Sequence, residues 1–225
     1  MEMGIKLPVN ATEAFHTYYA YIVEKSEIMN LTAISGIKDV AQLHFLDSLA
    51  LVLGADFRYA KVIDIGSGAG FPGLPLKIAV PSIELTLLDA TAKRIKFLEG
   101  LCEKLDIEAN CVHGRAEDIS RHPESRESYD FAVSRAVAKL NILCELCLPF
   151  VKVGGHFLAM KGLDSAEEIE AATAAMESLG AKLDRQIDYE IPGTNITHRI
   201  VSIKKTDKTT ENYPRRYAKI SKAPL

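Results

Sequence analysis

The sequence predicts a doubly wound α/β domain, with a mostly parallel seven-stranded sheet that ends in an antiparallel hairpin. Three observations predict it. From Lys61 onward, short β-branched runs alternate with helical stretches, the pattern of βαβ units around a parallel sheet. A glycine-rich turn, with four glycines in the eight positions 66–73, follows the first of these runs. The last two extended runs are joined by a short loop with no helix between them, and two strands so connected must pair antiparallel.

Residues 1–55 read as a small helical extension. Asn10-Ala-Thr-Glu13 has the spacing of a capping box, and Phe15, Tyr18, Tyr19, Ile22 and Val23 then recur on one helical face. A second helix is expected within KDVAQLHFLDSLALVL (38–53), after the polar connection MNLTAIS (29–35), and Gly54 to Ala60 makes a hinge. The main domain, 56–205, then reads as KVIDI, a glycine turn with a short helix, IELTLLD, the helix TAKRIKFLEGLCEKL, ANCVH, a polar loop, YDFAVS, the helix around LNILCELCL, and GGHFLAM. The helix SAEEIEAATAAMESLG follows, then the strands KLDRQIDYEI and THRIVSIKK about the loop PGTNI. Residues 206–225 form a basic tail.

Composition narrows the function. With 48% apolar and 25% charged residues in 225, the chain can bury one substantial core. No apolar run reaches the roughly 18 residues of a membrane span, and MEMGIKLPVN lacks the basic start and apolar middle of a signal peptide. The expectation is a cytoplasmic protein with four reduced cysteines. Cys144 and Cys147 form a CxxC, but no second Cys or His pair stands at zinc-site spacing, so they read as small core residues and no metal is expected. The net charge of -3 conceals an asymmetry. From Arg199 to Leu225 eight Lys or Arg face two acids, so a basic tail follows an acidic body, as suits contact with a polyanion.

The stretch VIDIGSGAGFPGLPL (62–76) is the chemical centre. Ligands of open α/β sheets bind at the carboxyl ends of the strands, and this is the first strand-to-helix turn. Gly68, Gly70 and Gly73 satisfy GxGxxG, and Asp89 follows at about the distance of a ribose-binding acid, so NAD fits the pattern. A second register, DxGxG from Asp64 through Gly66 and Gly68, fits a different ligand. A carboxylate beside the turn disfavours a pyrophosphate and suits a cation. S-adenosylmethionine carries adenosine, a sulfonium and an ammonium without phosphate. The DxGxG turn, Asp89 ending the second strand and the terminal hairpin together resemble the Rossmann-like class I methyltransferases.

A closer resemblance runs along the chain. NLTAI (30–34), HFLDS (44–48), IDIGSGAGFPGLPL (63–76), LLDATAKRIKFL (87–98), GRAED (114–118), SRAVA (134–138), MKG (160–162) and YPRR (213–216) resemble, in order, the motifs of the glucose-inhibited-division protein B family. That family methylates guanine N7 in 16S ribosomal RNA of the small subunit. The aromatic-Asn pair usual before NLT is Glu24-Lys25-Ser26 here, and Ala218 and Ile220 replace a Gly and a Pro of the tail. The resemblance implies that Gly66 and Phe71 line the methionine and sulfonium end of S-adenosylmethionine, and Asp64, Gly68 and Gly70 of the same turn are expected to bind the cofactor with them. Asp89 would take the ribose hydroxyls, Ala116 and Glu117 border the adenine, and Arg135 sit between cofactor and entering base.

His44 and Asp47 are three apart and share a helix face, and the resemblance places their motif near the catalytic cleft, on the substrate side. Lys161 ends the strand HFLAM at the same sheet edge, and His198 with Arg199 opens the last strand. His44, Asp47, Arg135, Lys161 and Arg199 are thus the expected substrate-side and catalytic residues, with 16S RNA or the small ribosomal subunit as partner. Guanine N7 has a lone pair and no proton, so its methylation needs no general base. The sequence accordingly presents no Ser-His-Asp or Cys-His constellation. Two alternatives stay open in the sequence: a methyltransferase of the same fold acting on a small molecule or protein, and an NAD-binding oxidoreductase.

Overall fold

The computed structural model describes residues 4–29 and 36–225; the NLTAI motif lies outside the described residues. Strands β1 (Lys61–Ile65), β2 (Glu84–Asp89), β3 (Asn110–His113), β4 (Tyr129–Arg135), β5 (Val151–Gly162), β6 (Ala181–Glu190) and β7 (Thr197–Lys205) form one sheet. Their order is β3-β2-β1-β4-β5-β7-β6. β1 pairs in parallel with β2 and β4, whereas β7 lies antiparallel between β5 and β6. The strand order reverses at β1, and that switch opens a crevice at the carboxyl ends of β1 and β4.

The helical elements are α1 (Ala11–Met29), α2 (Ile37–Val40), α3 (Asp47–Leu49), α4 (Gly73–Ala79), α5 (Ala92–Leu105), α6 (Ala116–Ile119), α7 (Leu140–Cys147), α8 (Ala166–Ala171), α9 (Thr173–Ser178) and α10 (Tyr217–Lys222). A π-helical turn (Ala41–Leu46) joins α2 to α3, and a 3-10 turn (Ala50–Leu53) continues it. Residues 37–53 therefore run as one helical stretch, where the sequence predicts one.

Successive residues of the central strands face opposite layers. Val62, Val133, Leu158, Met160 and Ile200 pack on the side of α1–α5. Ile63, Ala132, Phe157, Ala159 and Val201 pack on the side of α7–α10. The N-terminal extension is thus part of one layer, with Tyr18 and Ile22 of α1 among its buried residues.

Four local features differ from expectation. β5 begins at Val151 and runs through Gly154-Gly155, because the glycines serve a strand irregularity, marked by the shifted register between Tyr129 and Phe131, and not a turn. The helix expected over 165–180 is divided into α8 and α9 at Ala172, whose N–H reaches the carbonyls of both Glu168 and Ile169. The polar loop after β3 holds the short helix α6. The tail folds back and forms α10, with Ile220 wholly buried.

Candidate active site

The turn after β1 is shaped by its glycines. Gly66, Gly68 and Gly70 all have positive φ, at 74°, 58° and 99°, a region costly for residues with a Cβ. A Cβ on Gly70 would also strike the Tyr18 hydroxyl, which donates to the Ala69 carbonyl at 2.6 Å. Gly66 and Ser67 donate their N–H groups to the Leu88 carbonyl at 2.8 and 3.1 Å, so the turn is laid over the end of β2.

Asp89, at that end, is 3% exposed. Its Oδ2 accepts from Gly68 N–H at 3.0 Å and its Oδ1 from Thr91 N–H at 2.8 Å, with Arg94 at 3.4 Å. Oδ1 keeps a further lone pair, so these bonds orient Asp89 and leave it able to accept from a sugar hydroxyl. Gly66, Asp89, Ala116, Glu117 and Val137 line a cleft of about 270 Å³.

Asp64 and Phe71 depart from their expected places. Asp64 has no exposed surface; it lies beneath the turn, where its Oδ2 accepts from Gly73 N–H at 2.8 Å. Its Oδ1 has no partner among the described residues, and burial raises its carboxyl to about 7. The expected direct contact with a ligand is corrected to a buried support of the turn. Phe71 is also enclosed: Tyr18 stacks on it at 5.3 Å, His44 at 4.6 Å, and the Arg135 guanidinium lies 4.9 Å from the ring centroid. Its aromatic faces are taken by protein groups, so Phe71 links the turn to the helical stretch 37–53.

A second cleft, of about 370 Å³, opens on the other side of residues 135–137 and is lined by His44, Asp47, Arg135, Met160, Lys161 and His198. The backbone divides the two clefts by an unusual turn. Ala136 has φ of 56°, a strained value of the kind that gathers at functional sites. Arg135 is thereby sent into the second cleft while Val137 covers Gly66 in the first, close enough that a Cβ on Gly66 would meet it at 2.7 Å.

Asp47 is the hub of the second cleft. Arg135 Nη1 donates to its Oδ2 at 2.8 Å, and the Tyr189 hydroxyl donates to its Oδ1 at 2.7 Å. His198 Nδ1 stands 2.8 Å from the same Oδ1. Burial would raise the Asp47 carboxyl, but His198, Arg135 and Tyr189 outweigh it and hold the group below the ordinary carboxylate range. Arg135 also donates to the Leu43 carbonyl and lies 3.1 Å from His44 Nδ1. Burial, reinforced by the Arg135 charge, lowers His44 to about 4, so this imidazole is neutral near pH 7 and accepts from the guanidinium at Nδ1.

Lys161 donates to Glu168 Oε1 at 2.6 Å and to the Ala138 carbonyl at 2.7 Å. Arg199 stands opposite it across β5 and β7 and pairs bidentately with Asp188 of β6. The pleat separates Arg199 from its neighbour: His198 faces Asp47 and Arg199 the reverse side. The place expected for Arg199 in the cleft is therefore corrected to His198. Sequence reading missed Tyr189 and Glu168, which carry no local motif.

The basic tail is partly internal. Arg215 pairs at 2.6 Å with Glu145, whose side chain has no exposed surface. Lys205 is buried and lies 3.3 Å from Glu127. Arg126 donates to the carbonyls of Thr209, Thr210 and Tyr213. Lys204, Lys208, Arg216, Lys219 and Lys222 remain exposed. Burial raises the thiols of Cys144 and Cys147, as fits core residues. Among the described residues no group of His, Cys, Asp or Glu is arranged to hold a metal, and no helix is long and apolar enough to cross a membrane.

The model of a protein family described as rRNA small subunit methyltransferase G, or GidB, matches residues 11–192. A ribosomal RNA small subunit methyltransferase G of Alkaliphilus oremlandii is 51% identical over 92% of this chain and 88% of its own. The protein of that name from a Thermoanaerobacter species is 46% identical over 100% of this chain and 94% of its own. Among solved structures, the mitomycin 7-O-methyltransferase MmcR is similar with a TM-score of 0.58, at 14% identity over 88% of this chain and 66% of that one. M. jannaschii TYW2 in complex with AdoMet is similar with a TM-score of 0.55, at 14% identity over 73% and 77% of the two chains. At such identities the structural likeness shows the fold.

Proposed function

We infer the reaction of this chain from the family to which it belongs, the rRNA small subunit methyltransferase G family: it transfers a methyl group from S-adenosylmethionine to N7 of a guanine in 16S ribosomal RNA, in the cytoplasm. The observation that carries the reading is the match of the whole chain to relatives of that name, joined to a pair of clefts separated by one strained residue.

The first cleft fits the cofactor. Asp89 and Glu117 line it, and Asp64 lies close enough to Asp89 for the two charges to interact. Two acids lining the cleft beside a glycine turn repel a pyrophosphate and favour sugar hydroxyls and a cationic tail. Asp89 would hold the ribose hydroxyls, Ala116 and Glu117 the adenine, and the backbone of Gly66, Gly68 and Gly70 the methionine end. S-adenosylmethionine bound there supplies an electrophilic methyl group on a sulfonium.

The second cleft would receive the base. Asp47 fixes Arg135 so that its remaining N–H groups can hold guanine O6 or a phosphate and leave N7 open, using the donor geometry by which Arg reads guanine. Neutral His44 adds no charge beside a base that becomes cationic on methylation. Lys161 shares the reverse face with Arg199, its register partner, and would brace the turn after β4 through the Ala138 carbonyl. Rate enhancement by holding two partners in line is worth roughly 7–11 kcal/mol in favourable cases, and no residue need remove a proton. In this division of labour residues 1–55 wall the base side, 56–205 carry both clefts and 206–225 present cations to RNA.

Calorimetric titration with S-adenosylmethionine and with NAD, followed by methyl transfer to small ribosomal subunits, tests the reading. The expected outcome is binding of the first alone, weakened at least 10-fold in Asp89→Ala, for which a missing pair of hydrogen bonds suffices. Binding of NAD alone would overturn it, and methylation of a protein or small molecule in place of RNA would overturn the acceptor.

A further inference from the structure

The first cleft is walled by glycine backbone, two acids, Arg115 and aliphatic side chains, and Tyr217 of α10 is the single aromatic side chain lining it among the described residues. Tyr217 comes from the C-terminal segment, far in sequence from every other wall. It is 40% exposed, so its ring is neither core nor free in solvent.

The segment that carries it is held in place. Two residues earlier, Arg215 donates from its backbone N–H and guanidinium to Glu145 of α7 at 2.6 to 2.8 Å. Three residues later, Ile220 is wholly buried against the layer containing α7 and α9. Between these anchors the helix has little choice of rotation. The neighbouring Arg216, Lys219 and Lys222 are exposed, so the cations of α10 face solvent while Tyr217 meets the cleft.

We propose that the C-terminal segment completes the cofactor cleft and that the Tyr217 ring stacks on the adenine of S-adenosylmethionine as a specificity-determining contact. The proposal rests on the cofactor reading given above and deepens it. Asp89 and the glycine turn provide polar contacts to sugar and methionine, but no other side chain lining the cleft among the described residues is an aromatic ring, and offset stacking on a purine is what an aromatic wall contributes. The tail then acts on the cofactor as well as on RNA.

The chain contains no tryptophan, so Tyr217→Trp in the full-length protein places a sole indole at the wall. Titration of this variant with S-adenosylmethionine, read by fluorescence and calorimetry together, should give an emission change that saturates at the calorimetric Kd. Tyr217→Ala should weaken binding roughly 10-fold, the scale of one base-aromatic stack, with the melting temperature kept. Should the Ala variant melt early, the indole signal decides. Saturable heat with silent emission overturns the inference and leaves the cofactor reading intact. Absence of heat in the unsubstituted chain overturns the cofactor reading instead.

Discussion

Asp47 shows how one residue can organise a cleft through the partners it holds. Its two oxygens hold Arg135, Tyr189 and His198, which come from three different strands. Asp47→Asn keeps the shape but removes an acceptor from a buried guanidinium. Methyl transfer to the ribosomal subunit should fall about 100-fold, the cost of a small misplacement of positioned partners, while the calorimetric Kd for S-adenosylmethionine stays within about 3-fold. Equal losses in both would show that Asp47 serves the fold and not the base side. Asp64 gives a pH prediction. Its folded pKa of about 7 lies above the ordinary carboxylate value, so between pH 4 and 7 the folded state binds the extra proton and stability falls as pH rises. The fall from this group is on the order of 4 kcal/mol. Asp64→Asn keeps an acceptor for Gly73 and cannot ionise, so urea melts should find its stability relative to the unsubstituted chain greater at pH 8 than at pH 5.

Among the elements, the strands of the central sheet are legible in the sequence because β-branched runs punctuated by Gly, Pro and Asp have a local cause, and the terminal hairpin because a short loop leaves one geometry. The face of a strand is not legible where both faces are buried. Ile200 and Val201 are equally apolar and equally enclosed, so nothing in THRIVSIKK tells which of His198 and Arg199 meets the cleft. The tail reads as a free basic arm because its anchors lie 70 to 90 residues away in sequence. Arg215→Ala should cost about 3–5 kcal/mol in urea unfolding, since it strands Glu145 as an unpaired buried charge. Truncation before Thr206 therefore tests stability before it tests RNA. The cleaner test is the combined substitution of Arg216, Lys219 and Lys222 by Ala, all three exposed. The melting temperature should hold, and the slope of log affinity for RNA against log salt should fall by about 0.7 to 0.9 for each phosphate no longer neutralised. An unchanged slope would remove the outer face of α10 from the RNA interface.

At the scale of the molecule, the family resemblance carried by eight motifs and the fold they imply agree with the matches to known proteins, although NLTAI falls outside the described residues. What the motifs do not convey is the coupling between them. Tyr18 bonds the glycine turn at Ala69 and stacks on Phe71, which in turn meets His44 and Arg135. The two clefts thus share a buried aromatic and ionic connection through the N-terminal extension. The positions of its members along the chain also order its assembly during synthesis. Asp47 is made early, but its partners Tyr189 and His198 follow 142 and 151 residues later. A nascent chain grows from its N-terminus at a finite rate, so the whole glycine turn, Asp89 and even Arg135 are translated before the second cleft can close around Asp47. A chain of the rRNA small subunit methyltransferase G family is in this way kept incomplete, at its second cleft, until the ribosome making it has nearly finished.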